Sequence, residues 1–246
     1  MGNGTEWVPY EMWERKDGKV IKDKFIGIIP DSVTEIFANA GYDYQYLYMP
    51  WKRVMKNMGS EGAPCEVALS VSFKPERTSF IYYAYPLYKV NIGYFYSKDV
   101  YQQLPKLDDL KDNEACGILG YNYHNYKYGK EIQKLRDLNA ALEMLRKKRC
   151  KVFLSEIEPV LYGINSGLYP KIKNVGFTVL SDKAFHLAVN KRSPRATELL
   201  AALNQSTIIL TYNGKLEEVK EKYLGKGYSI DSINSGMTSN KSPTSP

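Results

Sequence analysis

Ser70-Val71-Ser72-Phe73-Lys74-Pro75-Glu76-Arg77, with Pro50-Trp51-Lys52-Arg53 upstream of it, is the part of this chain whose residue types and spacing could do chemistry. A short strand that ends in small hydroxylic residues and then turns into an arginine can grip a carboxylate. The serines offer backbone N–H and hydroxyl donors, and the guanidinium offers a permanently charged, two-pronged fork. That is the chemistry of recognising a small anion or zwitterion. The other reactive groups are scattered. His124 and His186 stand apart with no ligand spacing, and no nucleophile, base and orienting group stand together. Gly117-x-x-Gly120 alone is too weak a signal for a nucleotide site. No metal and no cofactor is expected.

At 246 residues the chain can bury a real core, as one large domain or two medium lobes. Its net charge of +7 raises the question of nucleic acid, but the positive residues are spread along the chain. The densest cluster, Arg146-Lys147-Lys148-Arg149-Cys150-Lys151, falls at the end of an expected helix, where the dipole favours cations, so no nucleic-acid partner is expected. Tyrosine is abundant, 21 residues, which suits both strands and wet ligand clefts. No stretch reaches the roughly 18 apolar residues of a membrane span, and no signal peptide is visible at Met1. Cys65, Cys116 and Cys150 are too few for a disulfide scaffold. Cys116 and Cys150 both open expected strands, which leaves a bridge between them open, but three buried thiols are expected.

The elements that must position the Ser70–Arg77 stretch read as follows. Trp7-Val8-Pro9-Tyr10 is a strand end running into a loop, and Lys16-Asp17-Gly18-Lys19 is a turn. A helix starts at Asp31 as N-cap, or at Ser32 with Glu35 in capping-box spacing, and stops at Gly41. Tyr42, Tyr44, Tyr46 and Tyr48 recur with period two and predict a strand. Pro50 opens a helix with Trp51, Val54, Met55 and Met58 on one face, and a strand from Cys65 to Leu69 leads into the serines. This β-α-β-α-β order predicts an α/β fold with a mainly parallel sheet flanked by helices. Further on come a strand over 115–119 and a long helix over 130–148 with Ile132, Leu135, Leu138, Leu142 and Leu145 inward. Strands over 152–154 and 183–190 follow, then a helix opened by Ser193-Pro194 and a last helix over 215–224. Residues 229–246 are serine, asparagine and proline with little to bury, and are expected to be a disordered tail.

Taken in order, these segments resemble the family 3 extracellular solute-binding proteins, the amino-acid-binding components of bacterial ABC importers. The resemblance covers about residues 5–225 and rests on motifs in series: Trp7-Val8-Pro9-Tyr10, Gly27-Ile28-Ile29-Pro30-Asp31, and Pro50-Trp51-Lys52-Arg53 followed by Ser70-x-Ser72 and Glu76-Arg77. Leu107-Asp108-Asp109-Leu110-Lys111 with Gly117-Ile118-Leu119-Gly120-Tyr121, Leu187-Ala188-Val189-Asn190-Lys191 and Tyr223-Leu224-Gly225 complete the series. It implies a two-lobed periplasmic-binding-protein fold with two hinge crossovers, lobe one over 5–92 and 188–228 and lobe two over 93–187. Each lobe would hold a mainly parallel sheet flanked by helices.

Carried across residue by residue, the resemblance implies that Arg77 pairs with a ligand carboxylate while Ser70 and Ser72 add hydrogen bonds. Tyr121 and Asn122 would give backbone N–H donors at a helix start, and Glu156 would hold the ligand ammonium. Trp7 and Trp51 would sandwich the ligand side chain. It further implies a monomer in the periplasm, its signal peptide removed, that hands an amino acid or similar small molecule to an ABC permease in the inner membrane. No reaction is expected of it. An enzyme on the same fold, similar to cyclohexadienyl dehydratase, and a ligand-sensing module of a signalling system are the alternatives. The chain also departs from the pattern. Cys65 stands where the family often has Asp, Lys148-Arg149-Cys150-Lys151 replaces a Gly-Arg-x-Asp signal, and Glu156 replaces Asp. The usual strand before Trp7 is almost missing, as a processed or truncated N-terminus would give.

Overall fold

The computed structural model describes residues 6–170 and 174–226, so the tail expected over 229–246 lies outside the described residues. Strands β1 (Met12–Lys16) and β2 (Lys19–Ile26) form a hairpin around the expected Asp17-Gly18 turn. Both turn residues take the positive φ that such a turn requires. Helices α1 (Ile28–Ala40) and α2 (Trp51–Met58) follow, then β3 (Val67–Ser72) and the 17-residue β4 (Ile81–Ser97). Next come β5 (Ala115–Ile118), β6 (Ile132–Leu135), α3 (Leu138–Arg146), β7 (Val152–Glu156) and α4 (Ile157–Asn165). The 16-residue β8 (Val175–Asn190) leads back to α5 (Ala196–Tyr212) and α6 (Lys215–Leu224).

Six strands share one sheet in the order β3-β8-β4-β7-β5-β6. Strands β4 and β8 pair antiparallel from Ile81–Asn190 to Ser97–Val175, and they run from one apolar core into another. One core joins α1, α2 and α5 through Ile36, Met58, Leu203 and Val189. The others surround α3 and α4 through Leu142, Phe153 and Leu161, and the β5–β7 region through Ile92, Tyr94 and Leu154. These strands are the two crossovers of a two-lobed fold. The sheet is mixed where the element order implied mainly parallel pairing: only β5–β6 and β5–β7 are parallel. A chain that leaves one lobe on β4 and returns beside it on β8 must lay those strands antiparallel. Glu158 of α4 pins the crossing, accepting hydrogen bonds from Asn91 N at 3.1 Å and Asn91 Nδ2 at 2.6 Å.

Several elements differ from the sequence reading. Residues 42–47 form no strand, and Tyr48 makes only a single bridge. Their period of two places Tyr42, Tyr44 and Tyr46 against the core, with Tyr44 packed on Phe37 at 5.1 Å, and the Tyr42 N–H donates to the Phe37 carbonyl of α1 at 3.0 Å rather than to a strand. Helix α1 begins at Ile28 after Gly27. Asp31 does not cap it but accepts from Lys222 at 2.7 Å and Tyr223 at 2.8 Å, tying α1 to α6. The long helix expected over 130–148 splits into β6 and α3. Asp137 caps α3 by accepting the Ala140 N–H at 2.8 Å, and Ile132 and Leu135 belong to the strand. Helix α5 starts at Ala196, and Ser193 donates its hydroxyl to Glu66 at 2.7 Å.

Cys116 and Cys150 form a disulfide, Cα atoms 5.7 Å apart, and only Cys65 is a buried free thiol. The expectation of three thiols is corrected. Parallel pairing of β5 with β7, Ala115 opposite Val152, brings the two cysteines together. The bridge closes a loop across a sequence separation of 34 residues. Replacing both cysteines with serine is expected to lower the unfolding free energy by about 3–4 kcal/mol in a urea titration.

Candidate functional site

A cavity of about 440 Å³ opens between the two cores, within the range of small-molecule sites. All eight residues singled out in the sequence line it: Trp7, Trp51, Ser70, Ser72 and Arg77 from one lobe, and Tyr121, Asn122 and Glu156 from the other. The last turn of β3 brings in the serines. A register shift against β8 between Ala68 and Val71 coincides with Ser70 in the left-handed region at φ 54°, a conformation that costs a non-glycine residue energy. The chain then folds into a short 3-10 turn, Pro75–Ser79, that carries Arg77.

Two contacts set the guanidinium. Nη1 donates to the Ser72 carbonyl oxygen at 2.8 Å, and the group lies 5.7 Å from the centre of the Trp51 ring. Among the described residues no carboxylate pairs with it, so most of its five N–H donors remain for a guest. Trp51, at the first position of α2, is thus a platform for the arginine. Trp7 sits in an aromatic row, 4.7 Å from Tyr10 and 4.9 Å from Phe185.

The serine hydroxyls are already engaged. Ser70 Oγ donates to Glu11 Oε1 in a short hydrogen bond, and Ser72 Oγ accepts from Asn122 Nδ2 at 3.3 Å. Asn122 Nδ2 also donates to the Phe73 carbonyl at 3.0 Å, so this side chain ties the two lobes directly. No helix starts after Gly120. The segment is a turn into a three-residue 3-10 piece, His124–Tyr126, and the Tyr121 N–H donates to the Ile118 carbonyl at 3.2 Å. The expected helix start at Tyr121 and Asn122 is therefore absent, and the Tyr121 N–H is used within the turn. The start of α3 reaches the cavity as well, with Asp137, Leu138 and Asn139 in its wall.

Glu156, at the N-cap of α4, is 3% exposed and receives a short hydrogen bond at Oε1 from Lys183, itself 4% exposed. Its other oxygen, Oε2, is buried and has no hydrogen-bond partner among the described residues. The carboxylate expected to meet a ligand ammonium thus already holds a protein ammonium.

Sequence reasoning missed Lys183 and Glu11. A signal for Lys183 existed: it alternates with Phe185, Leu187 and Val189, all buried, and so shares their inward face. Glu11 had none. Its place comes from the tight loop in which Trp7 and Glu11 exchange backbone hydrogen bonds of 2.8 and 2.9 Å.

Glu11 is 5% exposed. Burial pushes its carboxyl above the usual carboxylate range, and the Ser70 hydrogen bond pulls the other way without cancelling it. A carboxyl whose folded pKa is raised supports the fold in its neutral form. That support is complete below the unfolded pKa and is lost as pH rises through the folded one. Glu11→Gln is therefore expected to melt higher than the native chain near about pH 8 and to melt with it near about pH 3. Thermal scans across that range check the trend.

Two cores joined by a pair of crossing strands, with a cavity walled by both, define a two-lobed binding protein. The chain belongs to the bacterial extracellular solute-binding proteins, family 3, whose pattern it matches over residues 1–226. A sequence comparison with curated proteins found no match. Solved structures share the fold at low identity. A histidine kinase sensor domain with similarity to periplasmic binding proteins aligns at TM-score 0.72 and 20% identity, over 89% of this chain and 92% of its own. An amino acid ABC transporter substrate-binding protein from Streptococcus pneumoniae, bound to L-arginine, aligns at 0.70 and 16%, over 88% and 90%. An ancestral amino-acid-binding protein, a precursor of cyclohexadienyl dehydratase, aligns at 0.68 and 14%, over 89% and 91%. Among the described residues, no helix is long and apolar enough to cross a membrane, and no group of three or more His, Cys, Asp or Glu is placed to hold a metal ion.

Proposed function

We propose that this chain captures a small, carboxylate-bearing, amino-acid-like solute between its lobes and delivers it to the inner-membrane permease of an ABC importer. The observation that carries the reading is Arg77: a guanidinium oriented by Ser72 and Trp51, unopposed by any carboxylate among the described residues, on the wall of a cavity built from both lobes. Arg77 is half-buried, so its free N–H donors can pair with an anionic guest that enters the cavity. Lobe one takes residues 5–92 and 188–228 and lobe two takes 93–187, with β4 and β8 as the hinge. A guest that touches both lobes stabilises the closed arrangement, and the Asn122–Phe73 bond is one of the contacts that closure makes. The protein acts in the periplasm as a monomer, and the reading assigns it no reaction. That a protein of the same fold binds L-arginine supports an amino-acid-like guest, and a sensor would use the same capture step.

A thermal-shift screen of amino acids, amines and small carboxylates tests the reading. A guest at a hundredfold excess over its Kd adds about 2.7 kcal/mol of stability, a rise of several degrees for a chain of this size. Carboxylates are expected to raise the melting temperature. A response to amines alone contradicts the proposal.

A further inference from the structure

The charges around the cavity are largely matched within the protein. Arg15 pairs with Glu6 at 2.6 Å, Arg136 with Asp137 at 2.8 Å, and Lys183 with Glu156. Among the described residues, that leaves no acid paired with Arg77 and no base paired with Glu11, and burial raises the Glu11 carboxyl pKa. The site therefore holds one cation, Arg77, with no acid paired to it among the described residues, and already contains one ammonium at Glu156.

Lys183 Nζ sits between Glu156 and the Asn122 carbonyl oxygen, 3.5 Å away, and lies 5.1 Å from the centre of the Phe185 ring. It lines the cavity. A lysine ammonium has three N–H donors and no acceptor. Glu156 and Asn122 take two, so one remains for an oxygen of a guest. Glu156 Oε2 is buried and has no hydrogen-bond partner among the described residues, but its carboxylate is already paired with the Lys183 ammonium.

We infer that the site selects small carboxylates that lack a free α-ammonium, 2-oxo and 2-hydroxy acids above all, with Lys183 in the place a ligand ammonium would take at Glu156 and its free N–H donating to the 2-oxygen. The inference rests on Arg77 as the carboxylate anchor. A zwitterion would bring a second cation to a carboxylate that Lys183 already neutralises, and the extra charge would go unpaired. An oxo or hydroxyl group at the same carbon is an acceptor and adds no charge.

Titration calorimetry on the native chain with matched pairs tests this: L-glutamate against 2-oxoglutarate, L-phenylalanine against phenylpyruvate, and L-leucine against 4-methyl-2-oxopentanoate. The oxo acid of the pair that binds is expected to be tighter by roughly tenfold or more, with its binding lost in Arg77→Ala. In Lys183→Met the ratio is expected to shrink or reverse, because Glu156 is freed for a ligand ammonium. Should that variant fail to fold, Lys183→Met combined with Glu156→Gln removes both charges with little change of shape, and the preference is expected to vanish there too. Tighter binding of the amino acid to the native chain, still dependent on Arg77, overturns the inference and leaves the anchor intact. So does amino-acid binding that Glu11→Gln abolishes, since Glu11 would then be the ammonium acceptor, and so does a preference unchanged by the Lys183 variants. Binding by neither class, or binding indifferent to Arg77, overturns the anchor and the inference together.

Discussion

Arg77→Ala is expected to abolish measurable capture of a carboxylate ligand while leaving the fold intact. The guanidinium is half-buried and makes one hydrogen bond to its own lobe, to the Ser72 carbonyl, so its removal leaves one backbone acceptor without that donor beside an open cavity. The ligand loses far more, namely a charge-assisted, two-pronged contact in a partly desolvated site. Truncating one partner of such a pair costs about 2–5 kcal/mol, at least roughly 30-fold in Kd. Arg77→Lys keeps the charge but loses the planar fork and the seat over Trp51, so it is expected to recover only part of the affinity. Calorimetry with a carboxylate from the thermal screen reads both variants. Native affinity in Arg77→Ala contradicts the assignment.

Breaking the Lys183–Glu156 pair is expected to have the largest effect on stability. Both side chains are almost wholly buried, so Lys183→Met leaves a carboxylate in the interior with no cation, and Glu156→Gln leaves an ammonium with no anion. Each single change is expected to cost about 3–5 kcal/mol. The double change should cost much less than the sum, because it removes both desolvated charges and leaves side chains of similar size. Denaturant titrations of the native chain, the two single variants and the double variant form the cycle that measures this coupling. Additive losses would show that the two charges stabilise the fold independently.

The contrast between Arg77 and Lys183 shows what was legible in the sequence. Arg77 stood out because it closes a local run, Ser70 to Arg77, whose chemistry can be read without knowing what lies across from it. Lys183 needed the knowledge that its strand is buried on the face it shares with Phe185, together with the packing of β8 near β7 in the sheet, which is not a local property. Elements with their own punctuation were read closely: α2 behind Pro50, the Asp17-Gly18 turn, and α6 at Lys215–Leu224. Tyr42, Tyr44 and Tyr46 misled because alternation reports which side chains face inward, whereas a strand also needs a partner backbone. Ile132 and Leu135 misled because a three-residue spacing continues the apolar stripe of α3, although Asp137 already marked where that helix begins. The Cys116–Cys150 bridge depended on which strands are neighbours. The resemblance supplied the two-lobed frame, but it also suggested an ammonium site at Glu156 that Lys183 occupies here.

A crystal structure of the chain with a carboxylate ligand tests the central claim most directly. The account predicts the ligand in the cavity between the lobes, its carboxylate oxygens about 2.7–2.9 Å from the Arg77 nitrogens, with Lys183 still bonded to Glu156. A ligand seated elsewhere, or held in the same cavity with Arg77 turned to solvent, would contradict it.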